Sequence, residues 1–441
     1  MALFGTDGVR SLANGEVLTP ELATALARSA AHELLARRDA GARATAVIGR
    51  DTRPSGSMLA AAAAAGFASA GLDVLLLGVV PTPVVAHACA SGAADLGLVV
   101  SASHNPMPDN GLKLFGPGGW KLPDEVEAAV EAGLGAVRSR PTGTAVGSVG
   151  PAPPTLVQAY ERALLAALPA RPVGLRVVVD CAQGAASVLA PRLYRQAGAE
   201  VVAIFADGDG AHINDGCGAT HLERLQQEVL ARGADLGLAH DGDADRCLAV
   251  DARGEVVDGD ALLAVLAVAL HERGELDTVV GTVMSNLGFV RAMERVGIGV
   301  VQTAVGDRYV LEAMRAGGHL LGGEQSGHTV QLRHATTGDG LLTGLTVLGR
   351  LAETGRSLAD LAGVMTRLPQ VLVNVRVDRQ RAAAPEVLAA VAREQHGLGR
   401  DGRVLLRPSG TEALVRVMVE ASTAAGAQTV ADRLVAVVAG R

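Results

Sequence analysis

The stretch Leu96-Gly-Leu-Val-Val-Ser-Ala-Ser-His-Asn-Pro106 decides how the rest of the chain is interpreted. Its first five residues are an apolar run that predicts a buried β-strand, and Asn105-Pro106 then ends regular structure. A serine on a tight loop at the end of a strand can react, and polar neighbours can orient a phosphate or a metal ion. Taken alone, a serine beside a histidine is more often an ordinary turn.

The sequence that leads into this serine loop (Ser101–Pro106) recurs later in the chain. The five residues Ala94-Asp-Leu-Gly-Leu98 are repeated at 234–238, where they lead into Asp241-Gly-Asp-Ala-Asp-Arg246. A weaker echo, Gly318-His-Leu-Leu-Gly-Gly323, leads into Glu324-Gln-Ser-Gly-His328. Open α/β sheets bind ligands at the carboxyl ends of their strands. Three similar strands are therefore expected to carry three polar loops to positions where a ligand can bind.

A larger pattern of strand, loop, helix, glycine and strand occurs three times, beginning at Thr45, Leu175 and Thr278. It predicts three α/β units with parallel strands and crossover helices. The proline-rich segment Gly147–Pro154 is predicted to be a linker after the first unit. From about Leu368 onward, short strands and helices predict a small α+β domain on an antiparallel sheet.

Composition limits the classes of protein to which the chain can belong. Its 441 residues predict two to four domains, and 49% hydrophobic with 19% charged residues is typical of a globular protein. A net charge of −7 argues against nucleic-acid and acidic-membrane partners. Four scattered cysteines, no secretory pattern and no apolar run long enough to span a bilayer predict a cytoplasmic location. The two lysines, Lys113 and Lys121, both follow the serine loop closely.

Three aspartates, Asp241, Asp243 and Asp245, alternate with small residues. If the segment is extended, their side chains face the same way. Clustered carboxylates repel one another unless a cation neutralises them. Oxygen ligands without histidine or cysteine favour Mg²⁺ over Zn²⁺. Arg246 would then hold a phosphate beside the metal.

Two further segments are candidates for binding an anion. In Arg407-Pro-Ser-Gly-Thr411 the hydroxyls and the backbone amides around Gly410 can form a nest for phosphate, with Arg407 and Arg416 adding charge. The first segment, Phe4-Gly-Thr-Asp-Gly-Val-Arg10, predicts a bent backbone that ends in an arginine. Each could equally be a turn. Since no Gly-x-x-x-x-Gly-Lys-Ser/Thr loop is present, a serine near a metal cluster indicates covalent phosphoserine chemistry.

In this combination the chain resembles the α-D-phosphohexomutase superfamily over essentially its whole length. The resemblance rests on Phe4–Arg10, Ser101–Pro106, Asp241–Arg246, Gly306–Arg308, Glu324–His328 and Arg407–Glu412. Gln325 and the segment Asn214–His221 resemble the branch that acts on glucosamine phosphates.

The resemblance implies an α/β protein with the four-domain phosphohexomutase architecture, in which three similar α/β domains and a C-terminal α+β domain surround a central cleft. We place the domains at residues 1–152 with the phosphoserine loop, 153–252 with the metal loop, 253–368 with the sugar-binding loop and 369–441 with the phosphate-binding loop.

The activity implied is that of an isomerase that interconverts glucosamine 6-phosphate and glucosamine 1-phosphate and supplies amino-sugar nucleotide and cell-wall precursor synthesis. Ser103 would carry the phosphoryl group, and a bisphosphorylated sugar would be both intermediate and activator. One Mg²⁺ per subunit would be held by Ser103, Asp241, Asp243 and Asp245. The partner is a small amino-sugar phosphate, with neither nucleic acid nor membrane, and a homodimer is left open.

The same resemblance implies roles for the remaining residues. Glu324 and Ser326 would hold sugar hydroxyls. Lys113 and His328 are candidates for proton transfer. The non-reacting phosphate would be bound by Arg407, Ser409, Gly410, Thr411 and Arg416, and the reacting end would be lined by Arg10, His104, Lys113 and Arg246.

The sequence departs from the family pattern at four places, namely Ser11, Met107-Pro108, Gln183 and Ala413, and none of them is a metal ligand. Three alternatives remain open. They are a mutase for glucose or mannose phosphates, a non-catalytic sugar-phosphate sensor, and a metal-dependent phosphatase. Gln325 weighs against the first, the complete serine and aspartate set against the second, and the separate phosphate loop against the third.

Overall fold

The computed structural model describes residues 3–5, 7–35, 43–136, 140–408 and 413–440. Within these ranges, four β-sheets follow one another along the chain, of six, five, four and three strands. Backbone contacts divide the chain into two compact units. The first consists of Met1–Met284 with Ile298–Gly363, and the second of Ser285–Gly297 with Val364–Arg441.

The first sheet has the strand order β1-β5-β4-β2-β3-β6. Strands β2, β3, β4 and β6 pair in parallel, whereas β5 is antiparallel to both β4 and β1. All five residues of β4 are buried, as in a strand covered on both faces. The elements are β1 (Val9–Leu12), α1 (Pro20–Leu35), β2 (Thr45–Arg50), α2 (Gly56–Ser69), β3 (Asp73–Val79), α3 (Thr82–Ala90), β4 (Leu96–Val100), β5 (Asp109–Phe115), α4 (Asp124–Ala132) and β6 (Val149–Pro151).

The predicted linker Gly147–Pro154 is not wholly irregular. It contains β6, because the outer edge of β3 offers backbone groups with which Val149–Pro151 pairs in parallel. The pairing begins with a hydrogen bond from the Val74 N–H to the Ser148 carbonyl at 2.8 Å. Three prolines in eight residues concealed a short edge strand, a position where proline is tolerated.

The second sheet, ordered β11-β10-β9-β7-β8, repeats the plan of the first. Strands β7, β8 and β9 are parallel, and β10 and β11 form an antiparallel hairpin beyond them. The elements are α5 (Thr155–Ala166), β7 (Arg176–Asp180), α6 (Ala186–Ala197), β8 (Glu200–Ile204), α7 (Glu223–Arg232), β9 (Leu236–His240), β10 (Cys247–Asp251) and β11 (Val256–Val257).

The third sheet, ordered β13-β12-β14-β15, carries the third repeat. Each repeat contains a parallel strand pair, β2 with β3, β7 with β8, and β12 with β13, which confirms the predicted units. The elements are α8 (Gly259–Glu272), β12 (Thr278–Thr282), α9 (Leu287–Arg295), β13 (Gly299–Thr303), α10 (Asp307–Gly317), β14 (Leu321–Gly323), β15 (Thr329–Gln331), α11 (Gly340–Thr354) and α12 (Leu358–Ala362).

The fourth sheet is antiparallel, as predicted, with the order β16-β18-β17. Buried valines of β18, Val415, Val417 and Val419, share one core with the last helix. The elements are β16 (Gln370–Val375), α13 (Pro385–Leu398), β17 (Arg403–Pro408), β18 (Val415–Glu420) and α14 (Ala424–Val438). Among the helices of the described ranges, none has both the length and the apolar character that crossing a bilayer requires.

Asn286 joins α9 to the C-terminal segment of the second unit. Its Oδ1 accepts from the N–H groups of Gly288 (2.9 Å) and Leu368 (3.0 Å), and its Nδ2 donates to the Leu368 carbonyl at 3.1 Å. We expect Asn286→Ala to lower the free energy of unfolding by about 3 kcal/mol, since a helix cap and two buried hydrogen bonds are lost. Urea denaturation followed by circular dichroism measures this. Thr423→Ala, which removes only the cap of α14, is the control and should cost about 1 kcal/mol.

Asp339 is a buried capping carboxylate whose ionisation opposes folding. Its Oδ1 accepts from the Leu342 N–H at 2.9 Å, and the Tyr160 hydroxyl donates to its Oδ2 at 2.9 Å. Burial raises the pKa of Asp339 to about 6, above its value of about 3.9 in an unfolded chain. The folded state therefore holds this proton more tightly, and stability falls as the pH rises from about 4 through 6.

We expect Asp339→Asn to remove that loss. The wild type minus variant difference in the free energy of unfolding should change by about 3 kcal/mol at most between pH 4 and pH 7. Denaturant titrations across this range measure it. Asp378→Asn, which alters an exposed capping carboxylate, is the control. A difference that does not change with pH would contradict the assignment.

Candidate functional site

The serine loop brings Ser103 to the acidic cluster. Ser103 lies three residues after β4, is buried, and has a φ of 52°, a left-handed conformation that is uncommon for a residue with a Cβ atom. Its Oγ donates a hydrogen bond to Asp241 Oδ2 at 2.5 Å. Two loops predicted separately from the sequence therefore meet at one hydrogen bond.

The three aspartates lie on a turn after β9, so the predicted extended segment is wrong. Ala244 has a φ of 57°, and the turn is held by hydrogen bonds from the Thr82 N–H to the Asp243 carbonyl and from the Gly340 N–H to the Ala244 carbonyl. Alternation of side chains holds only for extended backbone. The turn still gathers the carboxylates, because one oxygen from each lies within 4.8 Å of the others and all three residues are buried.

The donor set of this cluster fits a hard divalent cation. Oδ1 of Asp243 and Oδ1 of Asp245 are buried and have no hydrogen-bond partner among the described residues. Burial, Asp245 and Asp243 together raise the pKa of Asp241 to about 8, which reflects crowded negative charge. Buried oxygens without nitrogen or sulfur donors match the preference of Mg²⁺. These residues form a metal-type site.

Lys113 is a cation that the chain itself supplies to the cluster. Its Nζ lies 2.8 Å from Asp243 Oδ2, 3.2 Å from Asp245 Oδ2 and 2.9 Å from Asp7 Oδ2. Although burial opposes it, these carboxylates raise the pKa of Lys113 well above its usual value. An ammonium held in this way favours an electrostatic role for Lys113 over the proton transfer predicted from the sequence.

A second layer of charges surrounds Lys113. The sequence predicts only Arg10 of this layer as a site residue, and not Asp7, Lys121 or Asp307. Asp7 accepts from Lys121 at 2.6 Å and contacts Arg10, and Lys121 also contacts Asp307. Although burial opposes it, Lys113, Lys121 and Arg10 hold the pKa of Asp7 well below its usual range. The available signal was the scarcity of lysine, because both lysines of the chain converge on one carboxylate.

Arg246 and His328 lie together at the side of the cluster. Their backbones form an isolated antiparallel bridge, and Arg246 Nε lies 3.9 Å from Asp245 Oδ1. His328 is buried, its Nε2 is 3.4 Å from Asp307 Oδ2, and neither ring nitrogen makes a hydrogen bond within the described chain. The ring is therefore available to exchange a proton with a bound molecule.

His104 follows the serine directly, and its Nδ1 lies 3.3 Å from Ser103 Oγ. Burial, with Arg246 and Arg10 nearby, lowers the pKa of His104 to about 4. Its imidazole is therefore neutral at physiological pH and can donate or accept one hydrogen bond at the serine oxygen.

The loop between β14 and β15 presents oxygen atoms. Glu324 Oε1 accepts from the Gly306 N–H at 3.0 Å, and Ser326 Oγ is buried without a partner in the described residues. Gln325 instead donates from Nε2 to Asp258 Oδ2 at 3.3 Å. Glu324 and Ser326 are thus placed to bind hydroxyl groups, whereas Gln325 holds the loop.

Two arginines of the second unit stand side by side. Arg407 and Arg416 are direct partners across β17 and β18. Burial and the charge of Arg416 lower the pKa of Arg407, and Arg416 Nε is buried without a hydrogen-bond partner in the described part of the chain. Adjacent cations of this kind favour a bound anion. The predicted ligands Ser409, Gly410 and Thr411 lie outside the described residues.

Comparison with known proteins agrees with this geometry. The phosphoglucomutase/phosphomannomutase family models match in chain order, with α/β/α domain I at residues 1–140, domain II at 158–254, domain III at 258–368 and the C-terminal domain at 372–437. The chain belongs to this family of phosphohexomutases.

Full-length relatives refine the class. A protein of Frankia casuarinae named phosphoglucosamine mutase is 63% identical, covering 99% of this chain and 98% of its own. The phosphoglucosamine mutase of Saccharopolyspora erythraea is 60% identical, with 99% of each chain covered. The predicted branch of the superfamily is confirmed by these relatives.

Solved structures show the same fold. A phosphoglucomutase/phosphomannomutase family protein from Burkholderia thailandensis has a TM-score of 0.84 at 25% identity, covering 99% of this chain and 97% of its own. N-acetylphosphoglucosamine mutase of Aspergillus fumigatus, solved with GlcNAc-6P and magnesium, has a TM-score of 0.71 at 20% identity, covering 99% and 95%. The predicted four-domain architecture is confirmed.

Proposed function

We propose that the protein interconverts glucosamine 6-phosphate and glucosamine 1-phosphate by way of a phosphoserine at Ser103. The observation that carries this is the 2.5 Å hydrogen bond from Ser103 Oγ to Asp241, within a cluster of three buried carboxylates. A hydroxyl that is fixed against a metal-type cluster suits storage and transfer of a phosphoryl group. Glucosamine is favoured as the sugar because the full-length relatives carry the name phosphoglucosamine mutase.

Atoms balance over two phosphoryl transfers. Phospho-Ser103 gives its phosphoryl group to the free hydroxyl of the sugar monophosphate; the hydroxyl proton passes to a base, and Ser103 Oγ takes up a proton as it leaves. The resulting bisphosphorylated sugar turns over and returns its other phosphoryl group to Ser103 Oγ, while the serine proton passes to a base and the leaving sugar oxygen takes up a proton. Ser103 is phosphorylated again at the end of each cycle, so the enzyme returns to its starting state. Unphosphorylated protein would take its phosphoryl group from a sugar bisphosphate, which is therefore the proposed activator.

The residues of the chain divide this work. Mg²⁺, held by Ser103, Asp241, Asp243 and Asp245, would offset charge on the phosphoryl group. Lys113, Arg10 and Arg246 would add fixed positive charge. His328, whose ring nitrogens make no hydrogen bond among the described residues, is the candidate proton acceptor. His104 would orient the serine oxygen.

Substrate recognition is proposed to use two sets of groups. Glu324 and Ser326 would bind sugar hydroxyls in either orientation of the ring. The phosphate that does not react would be bound by Arg407, Ser409, Gly410, Thr411 and Arg416. We also propose one Mg²⁺ per subunit, domain boundaries after residues 152, 252 and 368, a cytoplasmic location, and a homodimer as the assembly to test.

The test offers glucosamine 1-phosphate, glucose 1-phosphate and mannose 1-phosphate side by side to phosphorylated enzyme with Mg²⁺. We expect kcat/KM to be highest for the amino sugar. A preference for glucose or mannose phosphate would keep the mechanism and overturn the substrate. Release of inorganic phosphate in place of isomer would indicate a phosphatase, and no turnover of any sugar would favour a sensor.

A further inference from the structure

Arg53, in the loop after β2, has no role in the chemistry described above, yet it lies against the serine loop. Its side chain is fully buried. Nε donates to Asp51 Oδ2 at 2.9 Å. The other four N–H groups are directed to backbone carbonyls, namely those of Pro106 (2.5 Å), Asp109 (3.0 Å), Ser103 (3.0 Å) and Asn105 (2.7 Å). A guanidinium group has five N–H donors, so all of them are used.

The carboxylate that pairs with Arg53 holds the other side of Ser103. Asp51 Oδ2 accepts from Ser101 Oγ at 2.6 Å, and Ser101 Oγ accepts from the Ser103 N–H at 2.9 Å. The backbone of Ser103 is therefore fixed at its N–H through Ser101 and at its carbonyl by Arg53. This double attachment leaves the Ser103 side chain to face Asp241.

Two unfavourable effects, backbone strain and charge repulsion, act on the serine loop in this position. Ser103 adopts a left-handed conformation, which is unfavourable for a residue with a Cβ atom. A phosphorylated Ser103 would also bring close to two negative charges toward three aspartates. Forces of both kinds tend to displace the loop. A buried arginine that binds three carbonyls of the loop, and the carbonyl of Asp109 just beyond it, opposes that displacement.

We propose that Arg53 is a positioning residue for phosphoryl transfer, which acts by fixing the serine loop through its carbonyls. The proposal rests on the proposed phosphoserine mechanism. Lysine cannot replace Arg53, because an ammonium has three donors and lacks the planar fork that reaches four carbonyls and a carboxylate.

The test compares Arg53→Ala and Arg53→Lys with Arg350→Ala. Arg350 is a matched control, since it is a buried arginine of the same unit that pairs with Glu272 and Glu353. We expect Arg53→Ala to lower kcat for glucosamine 1-phosphate roughly 100-fold, with KM changed less than about threefold, because a misplaced nucleophile slows transfer rather than sugar binding. Arg53→Lys should resemble Arg53→Ala, and Arg350→Ala should keep wild-type kcat.

Hydrogen exchange supplies a readout that does not depend on turnover. Peptides covering 99–110 should exchange faster in Arg53→Ala, with other peptides of the first unit unchanged, and added guanidinium ion should restore both protection and kcat. If Arg53→Ala is poorly folded, Ser101→Ala, which leaves Arg53 in place, should raise exchange at Ser103 and lower kcat about tenfold.

Four results would overturn the proposal. They are wild-type kcat in Arg53→Ala, full activity in Arg53→Lys, faster exchange throughout the unit, or an equal loss of kcat in Arg350→Ala. Failure of the proposed function is distinguishable, because wild-type protein would then show no isomer while the exchange experiment still reports whether Arg53 holds the loop.

Discussion

Replacing Ser103 by alanine is expected to lower kcat for sugar-phosphate isomerisation roughly 10⁴-fold or more, since loss of a covalent nucleophile leaves no equivalent acceptor. The serine oxygen lies 2.5 Å from Asp241 Oδ2, inside the carboxylate cluster. One other hydroxyl contacts the cluster, that of Thr82, which donates to Asp243 Oδ2 at 2.7 Å, whereas Ser101 Oγ, two residues before Ser103, is bonded to Asp51. The serine loop of the variant therefore has no hydroxyl against Asp241 on which to store a phosphoryl group.

The experiment measures isomer formation in a coupled assay and protein-bound phosphate by mass spectrometry after incubation with a sugar bisphosphate. Ser103→Ala should incorporate no phosphate at this loop and should stay folded, because alanine keeps the Cβ atom. Ser101→Ala is the matched control, and it should still become phosphorylated. Turnover by Ser103→Ala above about 1% of wild type would be incompatible with a phosphoserine mechanism.

Replacing Asp241 by asparagine is expected to raise the melting temperature of the protein without metal and to lower it, relative to wild type, when Mg²⁺ is present. In a chelator the variant should have the higher melting temperature, because one of three crowded buried charges is gone. Its advantage should grow as the pH rises from about 4, where the Asp241 carboxyl of the unfolded chain ionises, to about 8. Burial and Asp245 raise the pKa of Asp241 to about 8 in the folded protein, so across that range the unfolded wild-type chain releases a proton that the folded chain keeps, and folding becomes less favourable.

With Mg²⁺ present the order should reverse. Wild-type protein gains RT ln(1 + [L]/Kd), about 2.7 kcal/mol at 100 times Kd, whereas the variant gains little. Activity of the variant should fall about 100-fold, as for other impaired metal sites. Thermal melts in EDTA and in Mg²⁺ measure both effects, with the exposed Asp277→Asn as the control. An Asp241→Asn protein that is less stable in EDTA would argue against a charge cluster designed for a cation.

The features that the sequence predicted well are local. The strands that begin at Thr45 and Thr278 start where the sequence predicts, because strand, turn, helix and glycine are encoded within a few residues of one another. The serine loop and the acidic turn were found because each follows the same five residues. Their meeting in space follows from parallel strands, whose carboxyl ends share one edge of a sheet.

The features that the sequence did not predict depend on distant partners. Lys121 and Asp307 are 186 residues apart, and no local pattern indicates that they form an ion pair. The acidic turn is not distinguishable from an extended segment by sequence, because alternation of aspartate with glycine and alanine is compatible with both conformations. The role of Arg53 could not be predicted for a similar reason. Its carbonyl partners belong to backbone some fifty residues later, and every residue type has a backbone carbonyl, so the sequence does not indicate which carbonyls it binds.

The placement of the two lysines makes amine chemistry selective for one region. Both ammonium groups lie in the charge network around Asp7, with side chains only 2% and 10% exposed, while every other long cationic side chain in the sequence is an arginine. Reagents that acylate or alkylate lysine label most proteins over their whole surface. In this protein their reaction would report how accessible the buried charge network around Asp7 is. Reactivity toward such a reagent, with and without a sugar phosphate, would therefore follow the opening of that network directly.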